Sequence, residues 1–232
     1  MDGKLSRRGF LQTTGTAAGA MLPASAAVQV SPAGEPRLTV GEGGVIHVET
    51  KTLRARIEKG FLTSLRSRSS DEEFIREFDR TKSDALQLIY RGNEAVDVGE
   101  QGFGNVTVRK VSDRRVDIIF HNWNGDGVMT VSADPDNGEL IIEPSACSSR
   151  PGVRACRWLM KGIKPGLKLV APFYQGVSLE LEDRLIANSS WNWPVSWEAG
   201  LVILQGRSSG CWVHTRDTRF RYKRLHVGLK DE

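Results

Sequence analysis

The sequence predicts an all-β protein in which antiparallel strands pack as one large sandwich or barrel. Apolar and polar residues alternate over many short segments, which is the pattern of strands that bury one face. Gly, Asn, Asp and Pro separate these segments at short intervals, and about a dozen strands with almost no helix are typical of such folds. The composition of the 232-residue chain, with 39% apolar and 26% charged residues, is that of a folded protein.

The first half of the domain, which we expect to span residues 37–229, contains hairpins. Residues 53–58 alternate between apolar and charged side chains, and Lys59-Gly60 provides the turn to a return strand that begins at Phe61. Further strands are predicted at residues 45–49, 85–90, 105–111, 115–122, 128–133 and 139–143.

One segment of this half has a helical spacing. In Asp71–Arg80, Phe74 and Phe78 stand four residues apart, and acidic residues come early, where the helix dipole favours them. We predict a short helical turn here, with an ordered loop as the alternative.

The second half also consists of strands and turns. The segment Asp134–Gly138 resembles a calcium loop faintly, but its Gly falls one position early for an EF-hand, so an Asn-Gly hairpin turn is predicted. Residues 206–210 are predicted to join a strand at 197–205 to one at 211–215. The remaining predicted strands are 168–172, 177–181 and 220–227.

The N-terminus is predicted to be an export signal. Arg7 and Arg8 come first, a weakly apolar stretch follows, and a run of small residues ends at Ala27. This order resembles a twin-arginine signal peptide. We therefore expect residues 1–27 to direct export to the periplasm or the medium, and residues 28–36 to be a linker. An uncleaved signal anchor is the alternative.

The charge balance does not predict a nucleic-acid partner. The chain has 32 Lys+Arg and 28 Asp+Glu, and loss of residues 1–27 leaves 29 and 27. A nucleic-acid surface needs a concentrated basic face. The alternating basic and aromatic residues of 219–224 are explained more simply by a strand with a solvated face. No run reaches the roughly 20 apolar residues of a membrane helix, so none is predicted in the mature chain.

The three cysteines do not form a metal motif. We expect Cys147, Cys156 and Cys211 to be buried thiols, with a bridge between Cys147 and Cys156 as the alternative. The sequence has no C-x-x-C, no paired-His spacing, no Gly-rich phosphate loop and no G-x-S-x-G. It therefore predicts no metal and no cofactor.

An aromatic cluster predicts a carbohydrate surface. Three of the six Trp lie within residues 191–197, and flat indole faces stack on sugar rings while neighbouring polar groups bind hydroxyls. The candidate binding residues are Trp191, Trp193, Tyr174 and Glu198. The alternative is structural packing, with Trp197 at the start of a core strand and the other two Trp holding a loop.

No catalytic residue is predicted. Glycoside hydrolysis needs two carboxylates about 5–5.5 or 6.5–9.5 Å apart. Glu198 and Asp217 lie on the two arms of one predicted hairpin, but solvated or structural roles are the favoured interpretation. His121 and His214 are candidates for the acid and base of an epimerase, although structural strand histidines are favoured over this role.

The segment Trp197–Gly206, followed by Gly210–Asp217, resembles the end of the galactose mutarotase-like β-supersandwich in endo-α-N-acetylgalactosaminidase-like glycoside hydrolases. In that family a W-E-a strand is followed by a G-x-W/Y-x-h-x-x-D strand and then a basic-aromatic strand, here Phe220–Leu225. The hairpin Leu53–Leu65 and the segment Leu169–Gly176 also fit. The resemblance implies this sandwich over residues 37–229.

In the family that it resembles, the hydrolytic carboxylates lie on a (β/α)8 barrel after the sandwich. The resemblance implies an exported, non-catalytic, carbohydrate-associated domain, with a glycan and a separate or downstream catalytic barrel as partners. We expect residues 230–232 to be a tail at the point where that barrel would begin. The alternatives are a stand-alone carbohydrate-binding module and an epimerase or polysaccharide lyase that uses His121, His214 or Tyr174.

Overall fold

A computed structural model describes most of the chain after the predicted linker. The residues described are 35–76, 78, 85–98, 106–121, 125–186, 188–217, 219 and 221–228. The described strands belong to one unit within residues 32–232. The predicted signal of residues 1–27 and the predicted tail of residues 230–232 lie outside the described residues and stay predictions.

The described residues form eighteen strands and two 3-10 turns, and no α-helix is found among them. The turns are Glu42–Gly44 and Arg184–Ile186. In chain order the strands are β1 (Arg37–Val40), β2 (Ile46–Glu49), β3 (Leu53–Glu58), β4 (Phe61–Ser67), β5 (Glu73–Ile75), β6 (Leu86–Tyr90), β7 (Ala95–Asp97), β8 (Val106–Ser112), β9 (Arg115–Phe120), β10 (Gly125–Ala133), β11 (Leu140–Ser148), β12 (Val153–Trp158), β13 (Lys168–Ala171), β14 (Val177–Glu180), β15 (Ser189–Trp193), β16 (Leu201–Gln205), β17 (Gly210–His214) and β18 (Lys223–Val227).

All neighbouring strands are antiparallel, which confirms the predicted all-β class. The strand orders are β1-β2-β3-β4-β5, β11-β10-β9-β8, β12-β6-β7, β14-β13-β16-β17 and β15-β18. The first four sheets are arranged like the blades of a four-bladed propeller, and the two-stranded sheet packs against the same core. Leu38, Leu88, Ile118 and Leu204 represent the four larger sheets in that core. No helix within the described ranges is long and apolar enough to cross a membrane.

Two predicted turns are confirmed. Lys59 and Gly60 have φ values of 49° and 85° and join β3 to β4. The segment from Asp134 to Gly138 joins β10 to β11, and Gly138 has a φ of 75°. Gly adopts such left-handed φ values at low cost, which explains its position in each turn.

The predicted helical turn at Asp71–Arg80 is wrong over its described part, because Glu73–Ile75 is strand β5. Ile75 pairs with Leu65 of β4, and both Phe74 and Ile75 are buried. Tertiary burial of two successive apolar side chains has outweighed the local helical spacing. Residues 77, 79 and 80 lie outside the described residues.

The cysteines differ from the prediction. All three are free, and both Cys147 and Cys156 are exposed, so the expectation of three buried thiols is wrong. The two exposed thiols lie on solvent-facing positions of β11 and β12. Cys211 is partly buried, and this burial raises the pKa of its thiol to about 11.

Candidate functional site

A cleft of about 1250 Å³ runs along β17, which is an edge strand of its sheet. Its apolar lining comes from four sheets, and its polar lining comes mainly from β11 and from the segment after β17. The apolar residues include Leu53, Leu65, Leu140, Ile142, Trp158, Met160 and Val213. The charged residues and the histidine are Arg66, Glu139, Glu143, His214, Arg216, Asp217, Arg219 and Arg221.

Strand alternation brings Trp212 and His214 to the same face of β17. Val213 is paired with buried Val202 of β16 and packs against the core. Its neighbours Trp212 and His214 therefore point the opposite way. The Trp212 side chain is 57% exposed, and its ring centroid lies 5.1 Å from that of His214. Trp212 also lines the cleft, so an accessible indole lies at its border.

A small polar network lies beside this aromatic pair. The ring Nε2 of His214 lies 3.2 Å from Oε1 of Glu139. The guanidinium of Arg216 donates to Asp134 at 3.1 Å and lies 3.7 Å from Glu139. The pKa of Asp134 is lowered, first by the hydrogen bond from the backbone N–H of Asp136 and then by Arg216. The network joins the β10–β11 turn to the end of β17.

Asp217 organises the chain beyond β17. Its carboxylate accepts hydrogen bonds from Lys223 at 2.8 Å, from the Arg221 guanidinium at 3.1 Å and from the backbone N–H of Arg219 at 3.1 Å. The Lys223 and Arg221 bonds hold the pKa of Asp217 well below its usual range. Asp217 is therefore an ionised structural carboxylate, which is the role that the sequence interpretation favoured.

The predicted aromatic candidates lie on β15, away from the lining of the cleft. The Trp191 ring stacks on Phe173, with centroids 4.3 Å apart and planes 7° from parallel. The ammonium of Lys223 lies 4.4 Å from the centre of the Trp193 ring. Both indoles are half-buried. One face of each ring is therefore already in contact with another side chain of the protein.

The other predicted binding residues are exposed. Tyr174 is 72% exposed and has a φ of 46° in the turn after β13. Glu198 is exposed, and its backbone N–H donates to the carbonyl of Pro172 at 3.2 Å. Contacts with residues 172 and 173 therefore place Glu198 and Trp191 near the turn that carries Tyr174.

The structural role predicted for Trp197 is confirmed for the burial of its side chain, but its predicted position at the start of a strand is wrong. Trp197 is buried, and its indole N–H donates to the carbonyl of Leu201 at 3.0 Å. The strand begins at Leu201, so Trp197 belongs to the preceding turn and not to the strand.

The structure separates the two histidines proposed for epimerase chemistry. The ring Nε2 of His121 lies 2.9 Å from the hydroxyl of Thr107, and His121 does not line the cleft. Only His214 does. Among the described residues, no group of three or more His, Cys, Asp and Glu side chains has a metal-binding arrangement.

Sequence reasoning did not select Trp212 as a binding residue. The available signal was the alternation Cys211-Trp212-Val213-His214, in which two small apolar residues face the core and leave Trp212 outside.

Family models, curated proteins and solved structures give no match to this chain.

Proposed function

We propose that this chain is an exported, non-catalytic, carbohydrate-associated β-domain of a glycoside-hydrolase-like protein, and that it binds a glycan in the cleft along β17. The main support is the exposed indole of Trp212 at the border of a cleft that is also lined by polar groups. Indole faces pack on the apolar faces of sugar rings. The neighbouring imidazole, guanidinium and carboxylate groups of His214, Arg216 and Glu139 are suited to bind hydroxyls.

The size of the cleft favours an oligosaccharide over a monosaccharide. Small-molecule pockets are roughly 300–1,000 Å³, and the cleft volume of about 1250 Å³ is larger. β17 is an edge strand, so no further strand of its own sheet covers its outer side. Several sugar units of one chain are therefore expected to lie along it.

The carboxylates support binding more than hydrolysis. A glycosidase general acid needs a raised pKa. The Lys223 and Arg221 bonds lower the pKa of Asp217 instead. Glu139 lies beside His214 and Arg216, so its oxygens are already in contact with cationic or proton-donating groups.

The proposal also includes a galactose mutarotase-like supersandwich fold and a glycoside hydrolase as the protein to which this domain belongs. The segment that resembles the galactose mutarotase-like supersandwich forms the β16–β17 hairpin, and the basic strand after it is β18. We propose this supersandwich for residues 37–229 and a separate or downstream (β/α)8 domain as its partner. A reading frame with βα repeats, adjacent to the gene or continuous with it, supports the hydrolase context. Its absence favours a stand-alone carbohydrate-binding module.

The direct test is calorimetric titration of the purified chain with neutral and acidic oligosaccharides. Trp212→Ala is expected to weaken binding at least tenfold, because loss of one stacked aromatic contact removes about 1.4 kcal/mol. Tyr174→Ala is the matched control, since Tyr174 is exposed outside the cleft lining. Loss in the control alone would move the site to the β13–β15 surface, and no binding by the wild type would overturn the proposal.

An epimerase is the second candidate, because His214 lies 3.2 Å from a carboxylate oxygen in the cleft. A carboxylate beside an imidazole orients it and favours its proton transfer. The test is the rate of mutarotation of several aldoses with wild-type protein and with His214→Gln. Acceleration that disappears in the variant supports an enzyme, whereas equal rates with and without protein exclude this candidate.

A further inference from the structure

One end of the cleft is basic. Arg216, Arg219 and Arg221 occur within six residues and all line the cleft. We name these three residues the basic end. Residues 215–224 contain five Lys or Arg and only one carboxylate, that of Asp217. The sequence around the basic end therefore has more positive than negative groups.

The contacts show which of these cations already have a carboxylate partner. Arg221 and Lys223 both bind Asp217, and Arg216 binds Asp134 with Glu139 nearby.

Arg219 differs from the other two residues of the basic end, Arg216 and Arg221. It is exposed, its backbone N–H donates to Asp217, and within the described residues its guanidinium has no ion pair. The planar guanidinium fork matches carboxylate and sulfate oxygens in a bidentate arrangement. Arg219 is therefore the cation of the basic end that is available to an anionic ligand.

We infer that the glycan of the proposed function is anionic, with a carboxylate or sulfate bound by Arg219 and a sugar ring packed on Trp212. This inference rests on the proposed glycan site and adds its ligand class. Arg216 borders the same end, but its charge is balanced by Asp134 and Glu139. A neutral sugar offers the Arg219 guanidinium hydroxyl oxygens only, without the stronger charge-assisted bonds of a carboxylate or sulfate.

The experiment compares matched ligands on the full chain. Tetragalacturonate and its methyl ester differ in charge, and a sulfated galactan tetrasaccharide and its desulfated form separate a sulfate requirement from a carboxylate requirement. We expect one acidic ligand to bind at least tenfold more tightly than its neutral partner. Its affinity is expected to fall as salt rises, because exposed charges are screened within roughly 8 Å at physiological ionic strength.

Two variants locate the charge. Arg219→Gln is expected to weaken the acidic ligand at least fivefold and to leave the neutral one unchanged. Arg207→Gln is the control, since it removes one charge from the β16–β17 turn, outside the cleft lining. Thermal unfolding checks that both variants fold.

The outcomes distinguish this inference from the proposed function. Equal or tighter binding of the neutral partners, or equal losses in the two variants, would overturn the anionic inference and leave a glycan site in place. Absence of binding to every acidic and neutral ligand would overturn the proposed function itself.

Discussion

Among the described residues outside the cleft, Glu72 accepts five hydrogen bonds. Its carboxylate accepts backbone N–H bonds from Arg207, Ser208 and Ser209 at 2.6, 3.1 and 2.7 Å. The hydroxyls of Ser208 and Ser209 add bonds at 3.1 and 2.8 Å. These bonds connect the β4–β5 turn to the β16–β17 turn, which belongs to the hairpin that carries Trp212.

This geometry predicts a pH-dependent stability. Desolvation opposes ionisation of Glu72, but the Ser209 hydroxyl and the backbone N–H groups outweigh it and lower the pKa from 4.5 to about 2. A lowered carboxyl pKa stabilises the fold above pH 4.5, and this stabilisation is lost as pH falls toward 2. After solvent screening we expect about 1–2 kcal/mol.

The measurement is chemical denaturation of wild-type protein and Glu72→Gln between pH 2 and pH 6. The difference in the free energy of unfolding is expected to shrink to near zero at pH 2. A difference that stays constant over this range would show that ionised Glu72 does not provide the stabilisation.

A substitution at Gly206 tests the same hydrogen bonds of Glu72, because Gly206 lies against its carboxylate. A Cβ at this position would lie 2.3 Å from Oε1 of Glu72, so Gly206→Ala must displace the carboxylate. We expect a loss of about 1–3 kcal/mol, as for hydrogen bonds to a charged group. Gly41→Ala is the control, because its nearest neighbour would lie at an ordinary 3.6 Å. A double-mutant cycle with Glu72→Ala should remove most of the cost, and an additive result would contradict this explanation.

At the level of elements, Asp117 joins three strands. It lies buried on β9 and accepts hydrogen bonds from Arg109 of β8 at 2.9 Å, from Arg115 at 3.2 Å and from Thr130 of β10 at 3.1 Å. Burial opposes its ionisation, but these bonds outweigh burial and lower its pKa. The carboxylate is therefore a charged link between neighbouring strands of the second sheet.

Substitutions of Asp117 and of its partner Arg109 are expected to lower the free energy of unfolding by different amounts. Asp117→Ala should lower the free energy of unfolding by about 2–4 kcal/mol, because it leaves the buried carboxylate site empty and Thr130 without its acceptor. Arg109→Ala should cost less than about 1 kcal/mol, since the Arg109 side chain is 64% exposed. Urea denaturation of both variants measures the free energy of unfolding. Equal decreases in Asp117→Ala and Arg109→Ala would contradict this expectation.

At the scale of the whole molecule, local alternation predicted the all-β class and most hairpins. The sequence signal was weakest where long-range pairing decided the structure. The strand β5 pairs with β4 despite its helical spacing, and β12 has no clear alternation but pairs with β6, far earlier in the chain.

The candidate site was less predictable than the fold. Composition drew attention to Trp191 and Trp193, but the sequence does not show that Phe173 and Lys223 contact these rings. Conversely, a single Trp212 in a short strand becomes prominent only when the edge position of β17 and the neighbouring β11 turn are known. Exposure of an aromatic face is a property of the assembled sheets and not of local sequence.

The most direct test of the glycan site follows the indole N–H signals of the six tryptophans by NMR during titration with tetragalacturonate and the sulfated galactan tetrasaccharide. The Trp212 signal is assigned by its loss in Trp212→Phe. We predict that one acidic ligand shifts the Trp212 signal first and most, while the signals of Trp191 and Trp193 move little. Shifts confined to Trp191 and Trp193, or an unchanged Trp212 signal at saturating ligand, would contradict a glycan site along β17.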